Sequence, residues 1–212
     1  QVIEAGKPNL RGLVNLTQWP EWSAALPEPL AVRAAALFGN MTRHHEPLQC
    51  GERIIRFDQP HVMGILNITP DSFSDGGKHQ DDPDKAAEAG LAMAASGASI
   101  LDIGGESTRP GAEPVWEGDE IRRVVPVIER LAHCGAAISI DTRKAAVMEA
   151  AIAAGAELIN DVSALLHDQR SLEVAGVSGR PVVLMHAPSS GKNPHKSDGY
   201  GNIVTDTLDW LE

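Results

Sequence analysis

Ser99-Ile-Leu-Asp-Ile103, then a loop and a helical stretch near Trp116 to His133, then Ala137-Ile-Ser-Ile140: this passage decides the fold. Each flanking run is short, nearly all apolar and rich in isoleucine, which reads as a strand covered on both faces. The same unit recurs outward in both directions. His61-Val-Met-Gly-Ile-Leu66 precedes a helix from about Asp84 to Ser96, and the strand at Ala137 leads into a helix near Arg143 to Ala154. Leu158-Ile-Asn160 precedes a helix near Asp168 to Val177, and Pro181-Val-Val-Leu-Met185 precedes one near Gly201 to Leu211. Strands alternating with helices in this way imply parallel strands joined by crossovers.

Two α/β architectures accept that rhythm, an open doubly wound sheet and a (β/α)8 barrel. A dinucleotide-binding sheet would carry G-x-G-x-x-G after its first strand, and no such pattern follows Leu66. Long loops after the first two strands favour the TIM-barrel type, whose chemistry sits on loops at the C-terminal ends of its strands. Five βα units are visible, so about five of the eight of a barrel are expected within these 212 residues. Residues 1–50 lack the alternation and carry Pro8, Pro20, Pro27, Pro29 and Pro47, with one helical stretch from Pro29 to Phe38. They are expected to form an N-terminal extension, and residues 51–212 the first part of the barrel. Glu52-Arg-Ile-Ile-Arg-Phe57 alternates like a half-exposed strand suited to capping the barrel bottom.

A formal charge of −11 argues against nucleic-acid or membrane-surface binding, which needs a basic patch. An anionic small substrate stays open. No block reaches the length of a membrane span. Cys50 and Cys134, far apart and outside any metal-ligand spacing, suit a reducing compartment, with cytoplasm as the default.

Chemistry concentrates after the strands. Asn67-Ile-Thr-Pro-Asp-Ser-Phe-Ser-Asp-Gly-Gly77 is an oxygen-rich loop able to face a hard cation or an anion, or simply a solvated loop with Asx-turns. In Gly104-Gly-Glu-Ser-Thr-Arg-Pro-Gly111 the glycine pair permits close backbone approach, while Ser107, Thr108 and Arg109 supply donors suited to phosphate; a plain turn is the alternative. Asp141 ends the third strand, where it serves either a barrel site or, with Thr142, the cap of the next helix. Asn160 offers both a donor and an acceptor, and Asp161 beside it reads as a cap or structural partner. Met185 fits a ring face or plain core. His186 is a lone histidine without a second ligand at useful spacing, His44 and His45 cannot form a helical zinc pair, and Lys192 to Lys196 reads as a solvated basic loop.

Gly64-Ile-Leu-Asn-Ile-Thr-Pro-Asp-Ser-Phe-Ser-Asp-Gly-Gly77 and Leu101-Asp-Ile-Gly-Gly-Glu-Ser-Thr-Arg-Pro-Gly-Ala112 closely resemble the two signature loops of dihydropteroate synthases. The resemblance continues through Ile138-Ser-Ile-Asp-Thr-Arg143, Ile159-Asn-Asp-Val-Ser163 and Leu184-Met-His186, covering about residue 51 onward. It implies joining of a dihydropterin diphosphate to p-aminobenzoate with Mg2+ as cofactor. By the same resemblance, Asn67 would bind the metal through its amide oxygen, and Thr69, Asp71, Ser72, Phe73 and Asp75 would ride on a closing loop, Phe73 near the aromatic amine. Thr108 and Arg109 would act catalytically from the second loop, and Pro110 would shape the p-aminobenzoate side. Asp141 would be catalytic, stabilising cationic charge on the pterin methylene, while Asn160 would read the pterin edge and Met185 pack on its face.

The family's aspartate, lysine and basic pair from the last three strands have no counterparts in the sequence, which stops at Glu212. An incomplete barrel is therefore expected, one that associates, aggregates or is supported by another segment, with a homodimer among its forms. The partners implied are small molecules, neither nucleic acid nor membrane. Two alternatives stay open: a methyltetrahydrofolate-dependent methyltransferase, which shares the pterin box but has no use for a diphosphate loop, and a noncatalytic partial-barrel module.

Overall fold

The structure, a computed structural model, describes residues 2–4, 7–9, 15–69, 82–108, 111–186 and 201–211. The chain forms two compact units, 1–46 and 47–212. In the first, β1 (Val2–Glu4) pairs antiparallel with β2 (Lys7–Asn9), and a 3-10 turn at Leu16–Gln18 leads into α1 (Trp19–Ala24) and α2 (Glu28–Thr42). Both helices carry a proline in their first turn, where a missing N–H removes no internal bond. Trp19 stacks on Phe38 with ring centroids 4.5 Å apart, which ties α1 to α2.

The second unit begins with a hairpin, β3 (Leu48–Cys50) and β4 (Arg53–Ile55), followed by the strands β5 (Met63–Asn67), β6 (Ile100–Gly104), β7 (Ala137–Asp141), β8 (Leu158–Asp161) and β9 (Val182–Leu184). Between and after them lie α3 (Pro83–Ala95), α4 (Glu117–Leu131), α5 (Ala145–Ala154), α6 (Ser171–Ser178) and α7 (Ile203–Leu211). All five strands are parallel and stand in the order β5-β6-β7-β8-β9. A doubly wound sheet reverses direction at a switch point; an order that never reverses is that of barrel strands.

Side-chain alternation divides the sheet. Leu66, Leu101, Ile103, Ile138, Ile140 and Ile159 form one buried face and meet Val124, Val127, Ile128 and Leu131 of α4 and Met148 of α5. The amphipathic α4 thus supplies the main apolar cover, with Arg122 and Glu129 left exposed. At the other end of the strands, Cys50 and Ile55 of the hairpin pack with Ile100, Ala137 and Leu158, the first residues of β6, β7 and β8. The hairpin therefore closes the N-terminal end of the sheet, as the alternation of residues 52–57 suggested.

Candidate active site

The strand register builds the site. Asn67 pairs with Gly104, Gly104 with Asp141, and Asp141 with Asn160, so the C-terminal ends of β5 to β8 present one continuous cross-strand row. One layer deeper lie Ile65, Asp102, Ser139 and Leu158, in register with each other and on the face opposite the helices. In parallel strands residues two apart share a face, which puts Asp102, Ser139, Asp141 and Asn160 on a single polar surface.

Asn160 donates from Nδ2 to Asp102 Oδ2 at 2.9 Å. Asp102 Oδ1, Ser139 Oγ and Asp141 Oδ1 are buried without a hydrogen-bond partner among the described residues. Burial first, and then the negative charges of Asp102, Glu120, Asp161 and Glu106, push the Asp141 carboxyl up to about 7. Buried polar atoms are ordinarily satisfied, so three orphans on one surface mark a place prepared for donors from outside the chain.

Asp141 does not cap the following helix. The first free N–H of α5, at Ala145, is taken by Asp168 Oδ2 at 3.0 Å, and the N-cap residue is Lys144, whose N–H goes to Thr142 Oγ1. Thr142 Oγ1 in turn donates to Glu120 Oε1 at 2.7 Å. Of the two readings of Asp141, the structure thus removes the capping one. Asp161 is structural: Oδ1 accepts from the N–H and hydroxyl of Ser163 and Oδ2 from the Leu165 N–H, closing the turn after β8.

The second loop is held by a buried ionic cluster. Glu106 accepts from Arg143 Nε at 3.2 Å, from Lys144 Nζ at 3.0 Å and from the Val115 N–H at 3.0 Å. Lys144 also bridges to Glu120 of α4. Burial raises the Glu106 carboxyl, but the bonds from Arg143, Val115 and Lys144 outweigh it and hold the group below its usual range. Gly105 makes this arrangement fit: a Cβ there would come within 2.9 Å of both Glu120 Cγ and Val124 Cγ1. The glycine pair thus serves α4 packing as well as loop shape.

Asn67 ends β5 with its side chain exposed, and Thr108 is exposed on the second loop. Met185 lies one residue past the end of β9 at 36% exposure, and His186 meets Trp210 of α7 edge-on at 4.7 Å. Asp71, Ser72, Phe73, Asp75, Arg109, Pro110 and Lys192 to Lys196 lie outside the described residues. Among the described residues no three His, Cys, Asp or Glu side chains form a metal cluster.

Sequence reasoning passed over Asp102, Ser139, Glu106 and Lys144. Asp102 carried a signal, a lone carboxylate centred in an otherwise apolar strand whose every residue is buried. The Glu106 cluster joins residues up to 38 positions apart, which no local pattern displays.

Comparison with known proteins agrees with this fold. The Bacillus subtilis dihydropteroate synthase is 56% identical over 148 residues, 69% of this chain, and the chain spans 49% of that relative's length. A probable bifunctional folylpolyglutamate synthase/dihydropteroate synthase of Haloferax volcanii is 47% identical over 154 residues, 73% of this chain and 18% of that protein. Among solved structures, the Xanthomonas albilineans dihydropteroate synthase with 4-aminobenzoic acid superposes with a TM-score of 0.69 at 48% identity, covering 78% of this chain and 58% of that one. The same organism's enzyme in complex with 7,8-dihydropteroate gives a TM-score of 0.65 at 44% identity, over 78% and 57%. The sequence profile described as pterin binding enzyme matches residues 63–212, and the chain belongs to that family.

Proposed function

We propose that the whole protein is a dihydropteroate synthase, condensing 6-hydroxymethyl-7,8-dihydropterin diphosphate with p-aminobenzoate to give 7,8-dihydropteroate and diphosphate. The observation that carries this reading is the row Asn67, Gly104, Asp141, Asn160 above a buried Asp102, at the strand ends where barrel enzymes act. Proteins similar to this chain over about 70–80% of its length are dihydropteroate synthases, one of them solved with 4-aminobenzoic acid. Residues 1–50 are taken as an extension and 51–212 as the first part of the barrel.

In the reaction the arylamine nitrogen forms a bond to the pterin methylene, the C–O bond to diphosphate breaks, diphosphate leaves with the electron pair, and the amine loses a proton. The methylene gains positive charge as the C–O bond lengthens, and an ionised Asp141, paired with a pterin N–H, would stabilise it. Asn160 would accept from the pterin edge, with Met185 against the ring face. Thr108 and Arg109 would contact the substrates from the second loop, and Pro110 and Phe73 would bound the p-aminobenzoate.

A single amide oxygen, Asn67, fits Mg2+, which commonly takes one or two protein oxygens with phosphate and water completing its shell. Bound there, the ion would neutralise charge on the diphosphate leaving group. A homodimer in the cytoplasm is proposed as the working form; no described helix is long and apolar enough to cross a membrane. The test is dihydropteroate formation by the full-length protein with Mg2+ and both substrates. Product is expected from the wild type and not from Asp141→Ala, and no turnover by the wild type would refute the assignment.

A further inference from the structure

The carboxylate of Asp102 has no place in the chemistry derived above, although it is 5% exposed in the middle of β6 and lies directly below the reactive row. It accepts from Asn160 Nδ2 across the one intervening strand, β7, on the surface that also holds Ser139 and Asp141. An ionised carboxylate can only accept hydrogen bonds, so it forces the neighbouring carboxamide to present nitrogen rather than oxygen. The Asn160 oxygen is then left for a ligand. Without the carboxylate, a carboxamide can turn over by half a rotation, and a site built to accept would then offer a donor.

Resting on the pterin reading of this site, we propose that Asp102 is a positioning residue that fixes the Asn160 carboxamide with its nitrogen inward and its oxygen toward a pterin N–H. Asp102 touches no substrate in this scheme; it acts through Asn160. The second orphan oxygen, Asp102 Oδ1, lies on the same buried surface as the orphan Ser139 Oγ, so the carboxylate retains capacity for a further donor, a hydroxyl or a water, that would hold it in turn.

The full-length protein tests this with the Asp102→Asn, Asn160→Ala and double variants, reading the Kd of 6-hydroxymethylpterin by calorimetry and the KM of each substrate. Asp102→Asn keeps the shape but lets the Asn160 amide turn, so pterin affinity is expected to fall about tenfold or more, the usual effect of misplacing one buried hydrogen bond. The p-aminobenzoate KM is expected to stay within about twofold, because that substrate lies on the loop side. In the Asn160→Ala background, Asp102→Asn is expected to have no further effect on pterin binding.

Unchanged pterin affinity in Asp102→Asn, or an effect that multiplies with that of Asn160→Ala, overturns the proposal. Absence of pterin binding by the wild type overturns the pterin reading instead, so the two failures are distinguishable. If Asp102→Asn fails to fold, the Asn160 side-chain amide resonances of the unliganded wild type decide: slow hydrogen exchange is expected of a pinned amide, and rapid exchange with solvent overturns the proposal.

Discussion

A carboxyl group that titrates near neutrality makes the protein's stability depend on pH in a direction opposite to most aspartates. Asp141 is pushed from 3.8 up to about 7 by burial and by the charges of Asp102, Glu120, Asp161 and Glu106. Folding therefore favours its protonated form. The contribution is intact below the unfolded value near 3.8, erodes as pH rises, and is fully lost above about 7. Asp141→Asn, which cannot ionise, is expected to be more stable than the wild type at pH 8, by up to roughly 4 kcal/mol, and so to melt higher, with the advantage shrinking toward pH 5. Thermal melts of both proteins at the two pH values check this, and an advantage independent of pH would contradict it. The same change is expected to remove turnover, since a neutral amide cannot offset cationic charge on the methylene. Under the proposed function, stability and activity would thus pull in opposite directions at this residue, as they do where function retains a costly buried charge.

At the scale of single elements, the beginning of α5 and the second loop depend on partners distant in sequence. Asp168 caps α5 from the turn after β8, its carboxyl held low by the Arg170 and Ala145 N–H groups. Asp168→Ala is expected to lower stability by about 1 kcal/mol, measured by urea unfolding, with substrate KM values unchanged. Glu106→Gln should act differently. It removes a carboxylate 4% exposed from between Arg143 and Lys144, which is expected to cost roughly 3 kcal/mol and to raise the p-aminobenzoate KM, because the segment bearing Thr108 loses its anchor. A stability loss with no change in KM would show that the cluster serves packing alone.

These elements also show where sequence reasoning worked. The barrel strands and their helices are legible because each strand is a short apolar run and each helix an Ala-rich or amphipathic one, so β6, α4 and β7 fall within two residues of their expected places. Asp141 stood out as a charge ending an apolar strand. Asp102 gave only the weaker signal of a lone carboxylate inside an apolar strand, because its partner Asn160 lies 58 residues away and only the strand register joins them. The pairs β1 with β2 and β3 with β4 were missed in part because three-residue strands are too short for alternation to register.

At the scale of the whole barrel portion, among the described residues the sheet has two edges. There β5 and β9 each pair on one side only, and apolar side chains near both edges face solvent: Ile65 is 61% exposed, Val183 41% and Leu184 44%. On α7, Ile203, Val204, Leu208 and Leu211 are exposed as well. In a barrel such positions face neighbouring strands and helices, which is consistent with the chain spanning about half of its relatives, 49% of the Bacillus subtilis protein. Unpaired strand edges beside apolar surface are templates for association. The 212-residue chain alone is therefore expected to elute above its monomer mass of 22.5 kDa and to bind a hydrophobic dye such as ANS. Light scattering across a concentration series checks the size. Ile65→Thr with Leu184→Lys should reduce both association and dye binding, because one shortens the apolar surface near β5 and the other places a charge on β9. A monomer that binds no dye at any concentration would mean that these edges are covered by residues of the chain itself, and the five-stranded sheet would then stand as a closed unit rather than as part of a larger barrel.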